Sequence, residues 1–307
     1  MTSLDQTIES VVLEQGKDLC IDQKRVLISG GLFRTARLGS EDCEFVTNPE
    51  GFVAELARNN RRADLFTFRQ RPSEREPKYG YLMDWEGLAV LPIESYEKWW
   101  KTQINDKTRN MVRKAGKKGV NLEVSELTHE FVRGIHAIYN ECPIRQGKPY
   151  RHFGKSVEVL QREHSSFLDR SEFIGAYCEG RMVGFAKVVY NGDFANLMNI
   201  ISLISERDKA PTNALIAKAI ERCAQKGIGF LQYGVWSRRS FGDFKLHHGF
   251  EHFKVPRYYV PLNSKGGLMV RLGLEKSLGA RLPEGWIDRW AELRGRWYSF
   301  KYRKFLK

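Results

Sequence analysis

The chain has 307 residues, with 50 Lys+Arg against 37 Asp+Glu, 42% hydrophobic residues and 12% aromatic ones. It is long enough for two packed domains and too apolar for disorder. The net charge of +13 is local: Lys101–Gly119 holds seven basic residues against one acid, and Lys265–Lys307 eleven against four, so the rest of the chain is neutral on balance. This excludes a uniformly basic, generally nucleic-acid-binding surface. It points to two separate anion-facing segments whose partners would be a phosphate-bearing substrate, RNA or an anionic lipid surface.

No stretch approaches the roughly 18 apolar residues of a spanning helix. The opening MTSLDQTIES has no basic run followed by an apolar one, so a cytoplasmic protein is expected. Cys20, Cys43, Cys142, Cys178 and Cys223 are odd in number and widely spaced, without a C-x-x-C pair, which argues against a disulfide framework and a zinc site.

In chain order, Lys24–Ser29 reads as a strand, Asn48–Asn59 as a helix opened by Asn48-Pro49, and Ala63–Arg69 as an alternating strand. Tyr79–Ile93 reads as two short strands joined at Asp84–Gly87. Ser95 opens a long helix that ends near Gly116 or Gly119, with Trp99, Ile104, Met111 and Val112 on its apolar face. Asn121–Ser125 is a strand, Thr128–Tyr139 a helix capped by Thr128, and Ser156–Leu168 a second helix beyond the loop Glu141–Gly154. Strands are expected at Glu172–Glu179 and Met182–Tyr190, turned at Gly180-Arg181, and at Phe194–Ser205. Pro211 starts a helix that stops at Gly227. A strand Gly229–Val235, a short helix Phe241–His248 and a strand Phe250–Leu262 follow. This is an α/β layered arrangement with one parallel crossover.

Three places carry polar chemistry. Arg207-Asp208-Lys209-Ala210-Pro211-Thr212-Asn213 leads into a helix N-terminus, where backbone N–H groups and small residues can cradle an anion. In the loop Asn140–Gly154, Glu141 or His152 can take a proton from an attacking ammonium, and Arg145 with Arg151 can bind a carboxylate or phosphate. Trp236–Ser240, including Arg238, follows a strand end, and Tyr259 lies on the last strand. Both are candidate substrate contacts. In the tail, Trp286, Trp290, Leu293, Trp297 and Phe300 recur at helical spacing among arginines and lysines. That pattern fits a helix docked on the protein or one lying on an anionic membrane surface.

From residue 128 to 262 the order is helix, helix, three-strand meander, helix, strand, helix, strand. This order resembles the acyltransferase domain of the GNAT superfamily, whose donor loop would fall on Arg207–Thr212. Thr108–Val120 and Phe244-Lys245-Leu246-His247-His248-Gly249-Phe250 resemble segments of the FemAB-type transferases, which look like two GNAT-like domains in tandem. The resemblance implies an α/β fold of tandem GNAT-like mixed sheets flanked by helices, with a basic C-terminal helical tail. The implied parts are a degenerate N-terminal domain at 1–125, a transferase domain at 126–264 and the tail at 265–307.

It further implies an acyltransferase moving an acyl group, such as acetyl, from an acyl-CoA donor to an amine. The alternatives are a FemAB-type enzyme using aminoacyl-tRNA on a cell-envelope precursor, or a GNAT-like binding protein without chemistry. In the first reading Arg207, Ala210, Thr212 and Asn213 hold the donor, and Lys245 stands where ordinary GNAT enzymes often place a tyrosine that protonates the leaving thiolate. Lys245, Glu141 and His152 are then the catalytic candidates, with Arg145, Arg151, Arg238 and Tyr259 binding substrate.

Overall fold

The computed structural model describes residues 19–59, 63–145, 147–236 and 240–274. In chain order the strands and helices are β1 (Leu19–Ile21), β2 (Lys24–Ser29), β3 (Thr35–Leu38), α1 (Pro49–Asn59), β4 (Leu65–Arg69), β5 (Leu82–Pro92), α2 (Asp106–Lys117), β6 (Asn121–Ser125) and α3 (His129–Tyr139). Then come β7 (Ile144–Arg145), β8 (Lys148–Pro149), α4 (Val157–His164), β9 (Ser171–Cys178), β10 (Arg181–Asn191), β11 (Phe194–Ser202), α5 (Pro211–Gln225), β12 (Phe230–Val235), α6 (Ser240–His247), β13 (Glu251–Pro261) and α7 (Ser264–Arg271). The described residues divide into two compact units, 19–88 with 253–274, and 89–252.

In the first unit the strand order is β1-β2-β3-β4-β13, ending on the N-terminal part of β5. β3 and β4 are parallel, and β4 pairs antiparallel with β13. Every residue of β4 is buried, and Phe66, Phe68, Phe52 and Tyr258 stack at centroid distances of 5.1 to 5.6 Å. A charged network lies beside this core. Arg257 donates to both oxygens of Glu41 (3.0 and 2.8 Å) and to Glu86 Oε2 (3.0 Å), and Arg69 reaches Glu86 (3.3 Å) and Asp42 (2.6 Å).

The second unit orders its strands as the C-terminal part of β5, then β12-β11-β10-β9-β6. β6, β9, β10 and β11 form an antiparallel meander, and β11 and β12 are parallel across the α5 crossover. Its core includes Trp99, Ile104, Ala115 and Val120 with Phe131, Ile135, Phe185, Leu215 and Ile220. Residues 89–125, grouped with the N-terminal part in the sequence reading, therefore pack into this unit.

Several elements differ from expectation, among them the helix expected at Ser156–Leu168, which ends at His164. Tyr79–Ile93 holds one continuous strand, β5, which runs through the expected turn at Asp84–Gly87 into fully buried Leu88–Leu91. The long helix after Ser95 is broken. A short turn, Tyr96–Lys98, capped by the Ser95 hydroxyl, runs into π-helical Trp99–Gln103, and Ile104 is extended. Asn105 then caps α2 by accepting from Thr108 N. The carbonyls that the break leaves open are taken by Arg109, which donates to Trp100 O (2.8 Å) and Ile104 O (2.7 Å). The meander turn also falls one residue early, on Glu179-Gly180 with φ of 53° and 75°, so that Arg181 begins β10.

Candidate functional site

The site is built where β11 and β12 part. They pair from Phe194–Phe230 to Asn196–Gln232, after which β11 continues to Ser202 and β12 to Val235 without a shared register. Gly234, at φ 61°, turns the end of β12 in a conformation that side-chain-bearing residues rarely adopt. Lys245, on α6, is 2% exposed and donates to Tyr233 O (2.7 Å) and Val235 O (2.8 Å), with its ammonium 4.8 Å from the Tyr233 ring centre. It clasps the carbonyls on either side of Gly234.

The helix carrying Lys245 is fixed at its C-terminus. Gly249, at φ 86°, follows α6, and Phe250 N returns to Lys245 O (3.1 Å), a left-handed stop that suits glycine. From the segment before α2, Trp99 Nε1 donates to His248 O (2.9 Å); within α2, Thr108 Oγ1 donates to His247 O (2.9 Å). The basic segment thus braces α6.

The segment between β11 and α5 engages most of its own backbone donors. Ile204 N and Ser205 N donate to the two oxygens of Glu141 (2.7 and 2.9 Å), Ser205 Oγ also donates to Glu141 (2.9 Å), and Arg145 Nη2 completes the set (2.9 Å). Burial alone would raise the Glu141 carboxyl, but these donors hold it below the ordinary carboxylate value. Arg145 also donates to Ser202 O and Ile138 O, both 2.9 Å, and lies over the Tyr150 ring. Farther on, Arg207 N, Lys209 N and Ala210 N bond to Ile204 O, Glu206 O and Arg207 O, while Asn213 N and Ala214 N both return to Ala210 O. Ala210 is left-handed (φ 55°, ψ 40°), Pro211 has no N–H, and Thr212 Oγ1 pairs with Ser202 Oγ (2.8 Å). Arg207 is exposed.

His152 sits in a separate aromatic cluster, 4.6 Å from the Tyr139 ring and 5.4 Å from Tyr150. Exposed Arg151 donates Nε to its Nε2 (2.9 Å). Burial pushes the imidazole down from its usual range, partly offset by Glu163. Its bare nitrogen therefore already receives a donor. Tyr259 is half-buried in the first unit, opposite Thr67. Arg238 and the tail from residue 275 lie outside the described residues.

Glu141, Arg145, Thr212 and Asn213 are thus linked along the segment into α5, and Lys245 joins them through His248. Three contributors were not singled out from the sequence: His248, Gly234 and Tyr139. His248 is 1% exposed, with Nδ1 2.7 Å from Phe244 O and Nε2 3.1 Å from Asn213 Nδ2. The one sequence signal for Gly234 was a glycine inside an otherwise regular strand.

The architecture matches solved structures over both units. The fold is GNAT-like. FemX aligns with a TM-score of 0.58 at 11% identity, covering 88% of this chain and 98% of its own. The C-terminal domain of a protein named as a lysylphosphatidylglycerol synthetase, from Agrobacterium fabrum, aligns at 0.54 and 12% identity over 87% of this chain and 94% of that one. L-PGS from Bacillus licheniformis aligns at 0.54 and 14% over 82% and 87%. No family model and no curated protein matches the sequence. Among the described residues of this GNAT-like chain, no helix is long and apolar enough to cross a membrane.

Proposed function

We propose that the second unit transfers an aminoacyl group from an ester donor to an amine acceptor. The observation that carries this reading is the engaged backbone of residues 204–214. A coenzyme A pyrophosphate needs free N–H groups at a helix N-terminus and close backbone approach. Here most of the donors are taken within the protein, Pro211 lacks one, Glu206 lies in the segment, and the Glu141 carboxylate is bonded to it. This crowding of the helix N-terminus favours an aminoacyl ester such as aminoacyl-tRNA over an acyl-CoA donor. The resemblance to FemAB-type transferases supports the same choice.

In this reading the amine attacks the ester carbonyl, a C–N bond forms, the C–O bond breaks, and the leaving alkoxide takes a proton. Lys245 does not serve as a base, because its ammonium is held by two carbonyls. Its buried positive charge stabilises the developing alkoxide. Glu141 and Arg145 hold the segment into α5 and act by positioning. His152, in the neighbouring cluster with Tyr139 and Tyr150 and held below its usual range by burial, is the candidate acceptor of the ammonium proton. We further propose that the acceptor belongs to the cell envelope and that the tail meets an anionic membrane surface.

Calorimetry with coenzyme A, acetyl-CoA and aminoacyl-tRNA tests the donor. Binding of aminoacyl-tRNA with no heat from either coenzyme is the expected result. Binding of acetyl-CoA alone would restore the acyl-CoA reading, and no binding to any would leave a GNAT-like binding protein.

A further inference from the structure

His248 shows which end of a neighbouring amide is bonded within the protein. The Phe244 carbonyl can only accept, so the His248 Nδ1, 2.7 Å away, carries the hydrogen. Burial pushes the imidazole down to about 4, so it is neutral at pH 7 and Nε2 is a bare acceptor. The Asn213 atom 3.1 Å from Nε2 must then be the NH2 group. The ring has little freedom to exchange these roles. It is 1% exposed, packs 4.3 Å from the Phe244 ring, and its own carbonyl is held by Trp99.

The oxygen of Asn213 is therefore the remaining end of a half-buried amide in the first turn of α5, and it makes no hydrogen bond to protein among the described residues. An acceptor oxygen at this place repels phosphate and attracts N–H or O–H. We infer that His248 is a positioning residue that sets the Asn213 amide so that its oxygen receives an uncharged hydroxyl or amine group of the donor substrate, in place of a phosphate. The inference rests on the aminoacyl-ester reading for its ligand, and on the protein alone for its geometry. A ribose hydroxyl beside the ester and the amine of the aminoacyl group are the two sources of such a donor.

Nitrogen-15 NMR of the intact chain at pH 7 reads the geometry, with the His248 signals assigned by their absence in His248→Asn. A neutral Nδ1–H tautomer is expected, shifting toward the charged form in Asn213→Asp. A charged imidazole or an Nε2–H tautomer in the unmodified protein would overturn the inference. Steady-state kinetics with an aminoacyl-tRNA donor read the role. Asn213→Ala should raise KM for the donor about tenfold with kcat nearly unchanged, and Asn213→Ala with His248→Asn should add little more, since the two act as one unit.

Fully additive effects, or no effect of Asn213→Ala, would sink the proposal. A 2′-deoxy terminal nucleotide that abolishes the Asn213→Ala effect assigns the ribose hydroxyl, and a desamino acyl analogue, with hydrogen in place of the α-amine, that does so assigns the amine. If no aminoacyl ester is turned over, the functional reading fails. The tautomer, with titration by inorganic pyrophosphate, then decides the inference: a shifted Asn213 amide signal overturns it and an unmoved one sustains it.

Discussion

The carboxylate of Glu141 reaches 64 residues along the chain to Ser205 and accepts from its backbone N–H and its hydroxyl, both at 2.9 Å. With Ile204 N and Arg145 on the other oxygen, this one side chain ties the end of α3 to the segment that leads into α5.

Replacing Glu141 with Gln puts an NH2 group against donors and should destabilise the protein by about 1–3 kcal/mol, read by urea unfolding. The folded carboxyl titrates below the usual 4.5, so its contribution is complete above that value and is lost as pH falls through the lower folded value. Glu141→Gln should remove that part of the acid dependence. An unchanged pH profile would mean that the carboxylate gains nothing from these donors.

Two buried histidines predict a second, higher acid limb. Burial, with the Lys187 charge as a lesser cause for His164, pushes both His164 and His248 down to about 4, against 6.5 for an unperturbed ring. As pH falls, the unfolded chain takes protons first, so stability is full above about 6.5 and declines toward 4. Denaturant midpoints measured between pH 7 and 4 should fall in this window, and His248→Asn should flatten the slope.

Lys245→Met leaves the buried carbonyls of Tyr233 and Val235 without their donor and should destabilise by about 1–3 kcal/mol by thermal melting. Turnover should fall further than the loss of folded protein explains, because the charge at the strand opening is gone. Turnover that falls only in step with the folded fraction would restrict Lys245 to a structural role.

Gly234→Ala places a side chain at φ 61° and should destabilise by about 1–2 kcal/mol. It should also weaken donor binding by misplacing the carbonyls that Lys245 holds. A melt indistinguishable from the unmodified protein would contradict the strain argument.

In the first unit, Arg257→Met strands Glu41 and Glu86 against Arg69 alone. Removing one partner of a buried ion network costs about 3–5 kcal/mol, and urea unfolding should show a loss of this size. Burial by itself would raise the Glu86 carboxyl, but Arg257 and Arg69 hold it low. That contribution to stability is also lost as pH drops below the carboxylate range.

Much of the second unit was legible because its signals are local. Thr128 and Ser156 cap α3 and α4 as their side chains require, Pro211 starts α5, and the apolar runs of β9 and β10 on either side of a glycine turn report a sheet. The order of these elements was enough to indicate a GNAT-like fold. The break after Gln103 was less visible, since Asn105 is an ordinary polar residue until Arg109 satisfies the carbonyls around it.

The chemical roles depended on tertiary structure because each rests on a partner far away in sequence. Lys245 is an exposed cation or a carbonyl clasp depending on where β12 ends, and Glu141 is a base or a brace depending on residues 204 and 205. The state of His248 needs both burial and Asn213, 35 residues away. The sequence by itself determined the elements, their order and the placing of the net charge, which are properties of neighbouring residues. Tertiary structure alone decided which polar atoms are already engaged, because desolvation and hydrogen bonding are set by what folding brings together across the chain.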